Sequence, residues 1–153
     1  FSLGLWMVDL TYYDPWYKQG PFVHKSIGIL LFLLTLLRLI WRYFSITPEP
    51  LNAHALWEIK AARISHLLLY TLLFSVMLSG YLISTADGRA VEVFNLFSIP
   101  ASVYGLEKQE DIAGEIHFVL ALVLVGISLI HATAAIKHHF IERDGTLKRM
   151  IGQ

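Results

Sequence analysis

The sequence contains no cysteine, which excludes disulfide bonds, iron–sulfur clusters and thiolate-bound metals. Charged residues are also scarce, at 16% of 153 residues, compared with about 25% in soluble domains. The formal net charge is zero, so nothing favours nucleic acid or another polyanion as a partner. What remains is 56% hydrophobic, with a mean hydropathy of +0.57. A chain this short cannot bury that much apolar surface in a globule, so we expect membrane lipid to cover part of it.

Three apolar runs are long enough to cross a bilayer, which requires about 20 helical residues. They cover residues 22–44, 62–85 and 112–137. The opening run, residues 1–10, is apolar but too short to span, and we expect the numbering to start partway along the first transmembrane helix. The alternative is a short interfacial segment. The predicted fold is all-α, a transmembrane four-helix bundle with its first helix truncated in this numbering, forming a single membrane domain over residues 1–153.

The loop before the last span contains Phe, Tyr and Val among its polar residues, so we expect it to lie along the membrane surface or to cap the bundle. Lysine and arginine counts predict the orientation, because cytoplasmic loops are richer in both. One side carries eight of them and the other carries four, which predicts a cytoplasmic C-terminus. The cytoplasmic set is Arg38, Arg42, Lys60, Arg63, Lys137, Arg143, Lys148 and Arg149, and the outer set is Lys18, Lys25, Arg89 and Lys108.

Histidines inside the spans are the strongest functional signal, because an ionisable residue in a membrane helix is costly. His117 and His131 are fourteen residues apart in the last span. Fourteen helical steps return to within about 40° of the same face and rise about 21 Å. Two imidazoles on one face, one near each edge of a hydrocarbon core about 30 Å thick, suit two haems held across a membrane. Each iron then needs a second axial ligand from another helix.

His24 is the predicted partner of His117. It lies at the outer start of the second helix, and His117 lies near the outer start of the fourth. The two are therefore expected at similar depth, as bis-histidine ligation of one b-type haem requires. Taken alone, His24 could instead be an interfacial histidine that is hydrogen-bonded to the backbone.

His131 lies near the cytoplasmic edge, and its partner should come from the same depth. The cytoplasmic start of the first helix would supply it, but that segment is absent from this numbering. His66, at the cytoplasmic start of the third helix, is the visible competitor. We favour His66 as a polar residue that packs near a haem edge or a quinone. His54 is most simply a solvated loop residue.

Arg38 follows His24 by fourteen residues and therefore lies on roughly the same helix face, further in. A buried guanidinium there could pair with propionates of the inner haem or with a quinone carbonyl. Snorkelling to the cytoplasmic interface beside Arg42 is an equally good interpretation. No nucleotide-binding or zinc-protease motif occurs, and no catalytic residue is assigned.

Three segments, HKSIGILLFLLTLLRLIWR, HLLLYTLLFSVMLSGY and KHHFIERDGTLKRM, give the chain a resemblance to the bacterial cytochrome b561 family over nearly its whole length. The resemblance implies a four-helix, dihaem inner-membrane protein. In that family helix one supplies one haem ligand, helix two supplies one and helix four supplies two. By position, His24 and His117 resemble the outer ligands and His131 resembles one inner ligand, while the helix-one histidine has no counterpart here.

The resemblance also implies electron transfer between a periplasmic one-electron partner and membrane quinone, with ubiquinone as the expected quinone. One relative type oxidises superoxide, so a quinone-linked oxidoreductase activity is an open possibility. Two alternatives are a cytochrome b anchor subunit for a dehydrogenase or hydrogenase and a non-redox membrane scaffold with structural histidines.

Overall fold

The computed structural model of the chain describes residues 1–45 and 56–143. Four helices follow one another as α1 (Ser2–Val8), α2 (Gln19–Phe44), α3 (Leu56–Thr85) and α4 (Gln109–Phe140). A short hairpin of β1 (Val91–Val93) and β2 (Phe97–Ile99) lies between α3 and α4. His54, Lys148 and Arg149, together with the end of the terminal segment quoted above, lie outside the described residues.

Helices α2, α3 and α4 are long and apolar enough to cross a membrane, judged by length and composition. Their apolar side chains are mostly exposed, as Leu34, Leu67 and Ile130 illustrate at 60%, 70% and 71%. Exposed leucine and isoleucine along a spanning helix are expected where lipid is the solvent. The prediction of a helical membrane bundle is therefore confirmed, with the hairpin as an addition that hydropathy did not predict.

The hairpin caps one end of the bundle. Its strands are antiparallel, with Val91 opposite Ile99 and Val93 opposite Phe97. Val91 and Val93 point inward and are 3% and 0% exposed. The loop prediction left two possibilities open, and capping of the bundle is the one that the structure shows.

Buried hydroxyls attach this cap to the helices. Ser26 of α2 is fully buried, and its Oγ donates to the Glu92 carbonyl at 3.4 Å and accepts from the Phe94 amide at 3.1 Å. Thr85, the last residue of α3, is also fully buried, and its Oγ1 lies 3.1 Å from the Val103 carbonyl. These bonds connect α2 and α3 to backbone groups of the segment between α3 and α4.

Gln109 fixes the start of α4 in the same way. Its Nε2 donates to the carbonyls of Leu82 and Val103 at 3.0 and 3.1 Å. The starts of α2 and α4 and the end of α3 therefore meet at the hairpin, so α2 and α4 run in the same direction. This geometry brings residues near the start of α2 to the same level as residues near the start of α4.

Candidate functional site

Two histidine rings lie next to each other between α2 and α4, near the hairpin end of the bundle. The ring centroids of His24 and His117 are 6.1 Å apart, and their planes are inclined by 80°. Both residues are half-buried. His24 is two residues before Ser26, whose hydrogen bonds to the hairpin fix this part of α2.

The tautomer of His117 follows from its hydrogen bonds. Its Nδ1 is 2.9 Å from the main-chain carbonyl of Val76 on α3. A carbonyl oxygen only accepts, so Nδ1 carries the proton and donates it. The neutral ring then has a lone pair on Nε2, which is the form in which imidazole binds a metal. Ser79 supports this arrangement, since its Oγ donates to the same carbonyl at 2.9 Å and lies 3.2 Å from Nδ1.

The spacing of the pair suits a metal between the rings. Metal–imidazole bonds are about 2.0–2.1 Å long, which places two imidazoles on opposite sides of one ion roughly 6 Å apart between centroids. His24 and His117 match that spacing at 6.1 Å. A carbonyl that orients one ligand through its far nitrogen is a regular feature of such sites. The residues present therefore fit a bis-histidine haem site.

A second pair of imidazoles lies deeper in the bundle. The ring centroids of His66 on α3 and His131 on α4 are 5.0 Å apart, with planes inclined by 65°. The structure thus brings His66 next to His131. The sequence analysis had weighed His66 as a second ligand at this level and favoured a packing role for it. Their spacing is about 1 Å shorter than two rings on one metal require.

Arg38 contacts an aromatic side chain that the sequence analysis did not single out. Its Nε donates to the hydroxyl of Tyr70 at 3.2 Å. The guanidinium of Arg42 lies 6.0 Å from the centre of the same ring, within the range of a cation–π interaction. Tyr70 therefore links two arginines of α2 to α3, one turn of helix from His66.

Three groups at the far end of α3 and α4 also lie close enough to hold a metal ion. They are Glu58, His138 and Glu142, whose ligand atoms are within 4.8 Å of one another. Glu142 already accepts bonds from Lys137 and His138, and these two neighbours hold the pKa of its carboxyl below the ordinary value. Glu142 is therefore held by two basic neighbours, and we assign no metal site to this cluster.

Comparison with known proteins identifies the family. The profile of the family described as "Prokaryotic cytochrome b561" matches residues 1–153. The chain belongs to this family. Cytochromes b561 of prokaryotes are membrane haem b electron-transfer proteins, and three spanning helices agree with a bacterial membrane protein.

Named relatives cover most of the chain. "Cytochrome b561 homolog 2" of Escherichia coli K12 is 51% identical over 153 residues, which is all of this chain and 81% of the relative. "Cytochrome b561 homolog 1" of the same organism is 27% identical over 84% of this chain and 72% of its own. The protein named "Probable superoxide oxidase CybB" of Yersinia pestis is 26% identical over 91% of this chain and 77% of its own.

Sequence reasoning singled out the four histidines and Arg38 but missed the groups that orient them. Val76 acts through its carbonyl and Tyr70 through its hydroxyl, and neither residue type signals such a role in an apolar helix. Ser79 gave a weak signal, since it is a small polar residue in a span.

Proposed function

We propose that His24 and His117 are the axial ligands of one haem b, and that His131 is an axial ligand of a second haem deeper in the bundle. The observation that carries this proposal is the facing pair at 6.1 Å, with Nδ1 of His117 bonded to the Val76 carbonyl. When bound, haem b supplies an iron that accepts and releases one electron. The chain's own residues supply ligation, spacing and burial.

Membrane orientation is part of the proposal. We place the protein in the inner membrane, and lysine and arginine counts favour a cytoplasmic C-terminus. The His24–His117 pair then lies toward the periplasm, and the His66–His131 pair lies about 21 Å further in along α4. Arg38 and Tyr70 lie at the inner level, where a guanidinium can pair with a haem propionate or a quinone carbonyl.

We further propose that electrons pass between a periplasmic one-electron partner and membrane quinone, with ubiquinone as the quinone and superoxide as the candidate donor. The relative named as a superoxide oxidase supports this donor. Two superoxide anions would yield two molecules of dioxygen, and with two protons one quinone would become one quinol. Lys25, directly after His24, is one of the outer cations that could attract an anion. Arg89 is paired with Asp87, and Arg89 holds the pKa of that carboxyl below its ordinary value.

Replacing either outer ligand should remove one haem. We expect His24→Ala and His117→Ala each to lower the haem content by one haem per chain, because an iron with one imidazole is weakly held. A pyridine haemochrome assay on the purified protein measures this content. His54→Ala, at the histidine that the sequence predicts to be solvated, is the control and should retain the wild-type content. Unchanged haem content and spectra in both helix variants would support the scaffold alternative instead.

The inner pair allows a second, independent test. We expect His131→Ala to lose the other haem and His66→Ala to keep it, because the 5.0 Å spacing is too short for His66 to share an iron with His131 without movement of a ring. Optical difference spectra of the two variants distinguish these outcomes. Loss of the same haem in His66→Ala would make His66 the second axial ligand.

The electron-transfer reaction can be tested without a partner protein. We expect the purified haem-loaded chain to reduce a ubiquinone analogue when superoxide is generated enzymatically, followed by the absorbance change of the quinone. His117→Ala should abolish the rate above background. Reduction only after addition of a dehydrogenase or hydrogenase subunit would favour the anchor alternative over this proposal.

A further inference from the structure

Two glycines leave no room for a side chain beside the facing imidazoles. A Cβ placed on Gly4 of α1 would lie 3.1 Å from Cε1 of His24, and a Cβ on Gly80 of α3 would lie 3.1 Å from Cε1 of His117. Carbon atoms in favourable contact are about 3.5–4.0 Å apart. Any side chain at either position would therefore press on the ring.

The tight approach is not general to the helix glycines. A Cβ on Gly28 of α2, or on Gly114 or Gly126 of α4, would meet nothing within 4 Å. Gly20 is also tight, but against Leu10, Trp6 and Met7 of the α1 region, so its contact packs α1 on α2. Among the glycines in the described helices, only Gly4 and Gly80 have a histidine as the neighbour.

A Cβ on either glycine would meet the ring at Cε1. From a Cβ placed on Gly4, the atoms of His24 would lie at 3.1 Å for Cε1, 3.6 Å for Nδ1 and 3.9 Å for Nε2. From a Cβ placed on Gly80, Cε1 and Nδ1 of His117 would lie at 3.1 and 3.3 Å, and Nε2 would be beyond 4 Å. In each ring, Nε2 is thus the nitrogen further from the glycine.

Helix α3 acts on His117 through two adjoining groups. The carbonyl of Val76 accepts the Nδ1 proton at 2.9 Å, and Gly80, one turn later, leaves room for the ring edge that carries that nitrogen. A side chain at position 80 would move this edge away from α3 and lengthen the hydrogen bond. At His24, α1 supplies the gap that receives the ring, in addition to the edge contact with the His117 ring.

We propose that Gly4 and Gly80 are positioning residues of the outer site, and that each accommodates the Cε1–Nδ1 edge of one imidazole so that both rings present Nε2 to the same iron. This inference rests on the proposed haem ligation by His24 and His117. It adds the residues that fix the ring orientation, and it assigns a function to helix α1, which carries Gly4.

The test compares four alanine variants of the haem-loaded protein. Gly80→Ala and Gly4→Ala add a methyl group against an imidazole. Gly114→Ala, three residues before His117, and Gly28→Ala, four residues after His24, add the same methyl group in open space. Alanine favours helix over glycine at all four positions, so an effect on helix stability alone would have the same sign throughout.

The readouts are haem per chain, the low-spin ferric EPR signal and the midpoint potential of the outer haem, which is identified as the signal missing from His117→Ala. We expect Gly80→Ala and Gly4→Ala to lose half or more of the outer haem, or to keep it with a shifted EPR signal and potential. The two control variants should match the wild type. Circular dichroism checks that helix content is unchanged in all four.

Wild-type haem content and an unshifted EPR signal and potential in both Gly80→Ala and Gly4→Ala would overturn the inference. If Gly80→Ala does not accumulate, Gly4→Ala in the short helix α1 carries the same test. A wild-type protein without low-spin haem would refute the ligation itself, and this failure is visible before any variant is compared.

Discussion

The arrangement of the outer site depends on two imidazoles held close together between helices that otherwise present mostly apolar side chains to lipid. In a membrane, little distinguishes one apolar helix contact from another, since lipid chains are as apolar as leucine. Polar contacts at fixed points therefore decide how the helices align. The His24–His117 approach and the Val76 carbonyl on Nδ1 are such points, and they join three of the helices at one level.

The hairpin end of the bundle provides the rigidity that this pairing needs. Ser26, Thr85 and Gln109 are all buried and bond to backbone groups of the segment between α3 and α4. These bonds keep the starts of α2 and α4 in register. The far end has fewer buried polar contacts among the described residues, and there Arg38 and Tyr70 connect α2 to α3. The two ends of the bundle thus differ in how tightly their histidines are held.

Much of this fold could be predicted from the sequence, because long apolar runs in a chain with 16% charge allow few alternatives to a helical bundle in lipid. The similar depth of His24 and His117 could also be predicted, because each lies near the start of its helix. The hairpin could not be predicted, because its strands are only three residues long and show no extended alternation of apolar and polar residues. Neither could the contacts of Gly4, Gly80 and Tyr70, because they depend on how neighbouring helices are rotated, and apolar periodicity is weak when lipid surrounds the bundle.

The central claim is that paired imidazoles in this chain hold haem iron from both sides. Low-temperature EPR of the oxidised, unmodified protein in detergent tests it most directly, because the number and kind of axial ligands determine the spin state. The account predicts a low-spin ferric signal typical of two imidazole ligands from the haem between His24 and His117. A spectrum without that low-spin signal, or a protein that contains no haem when expressed with ample supply, would contradict it.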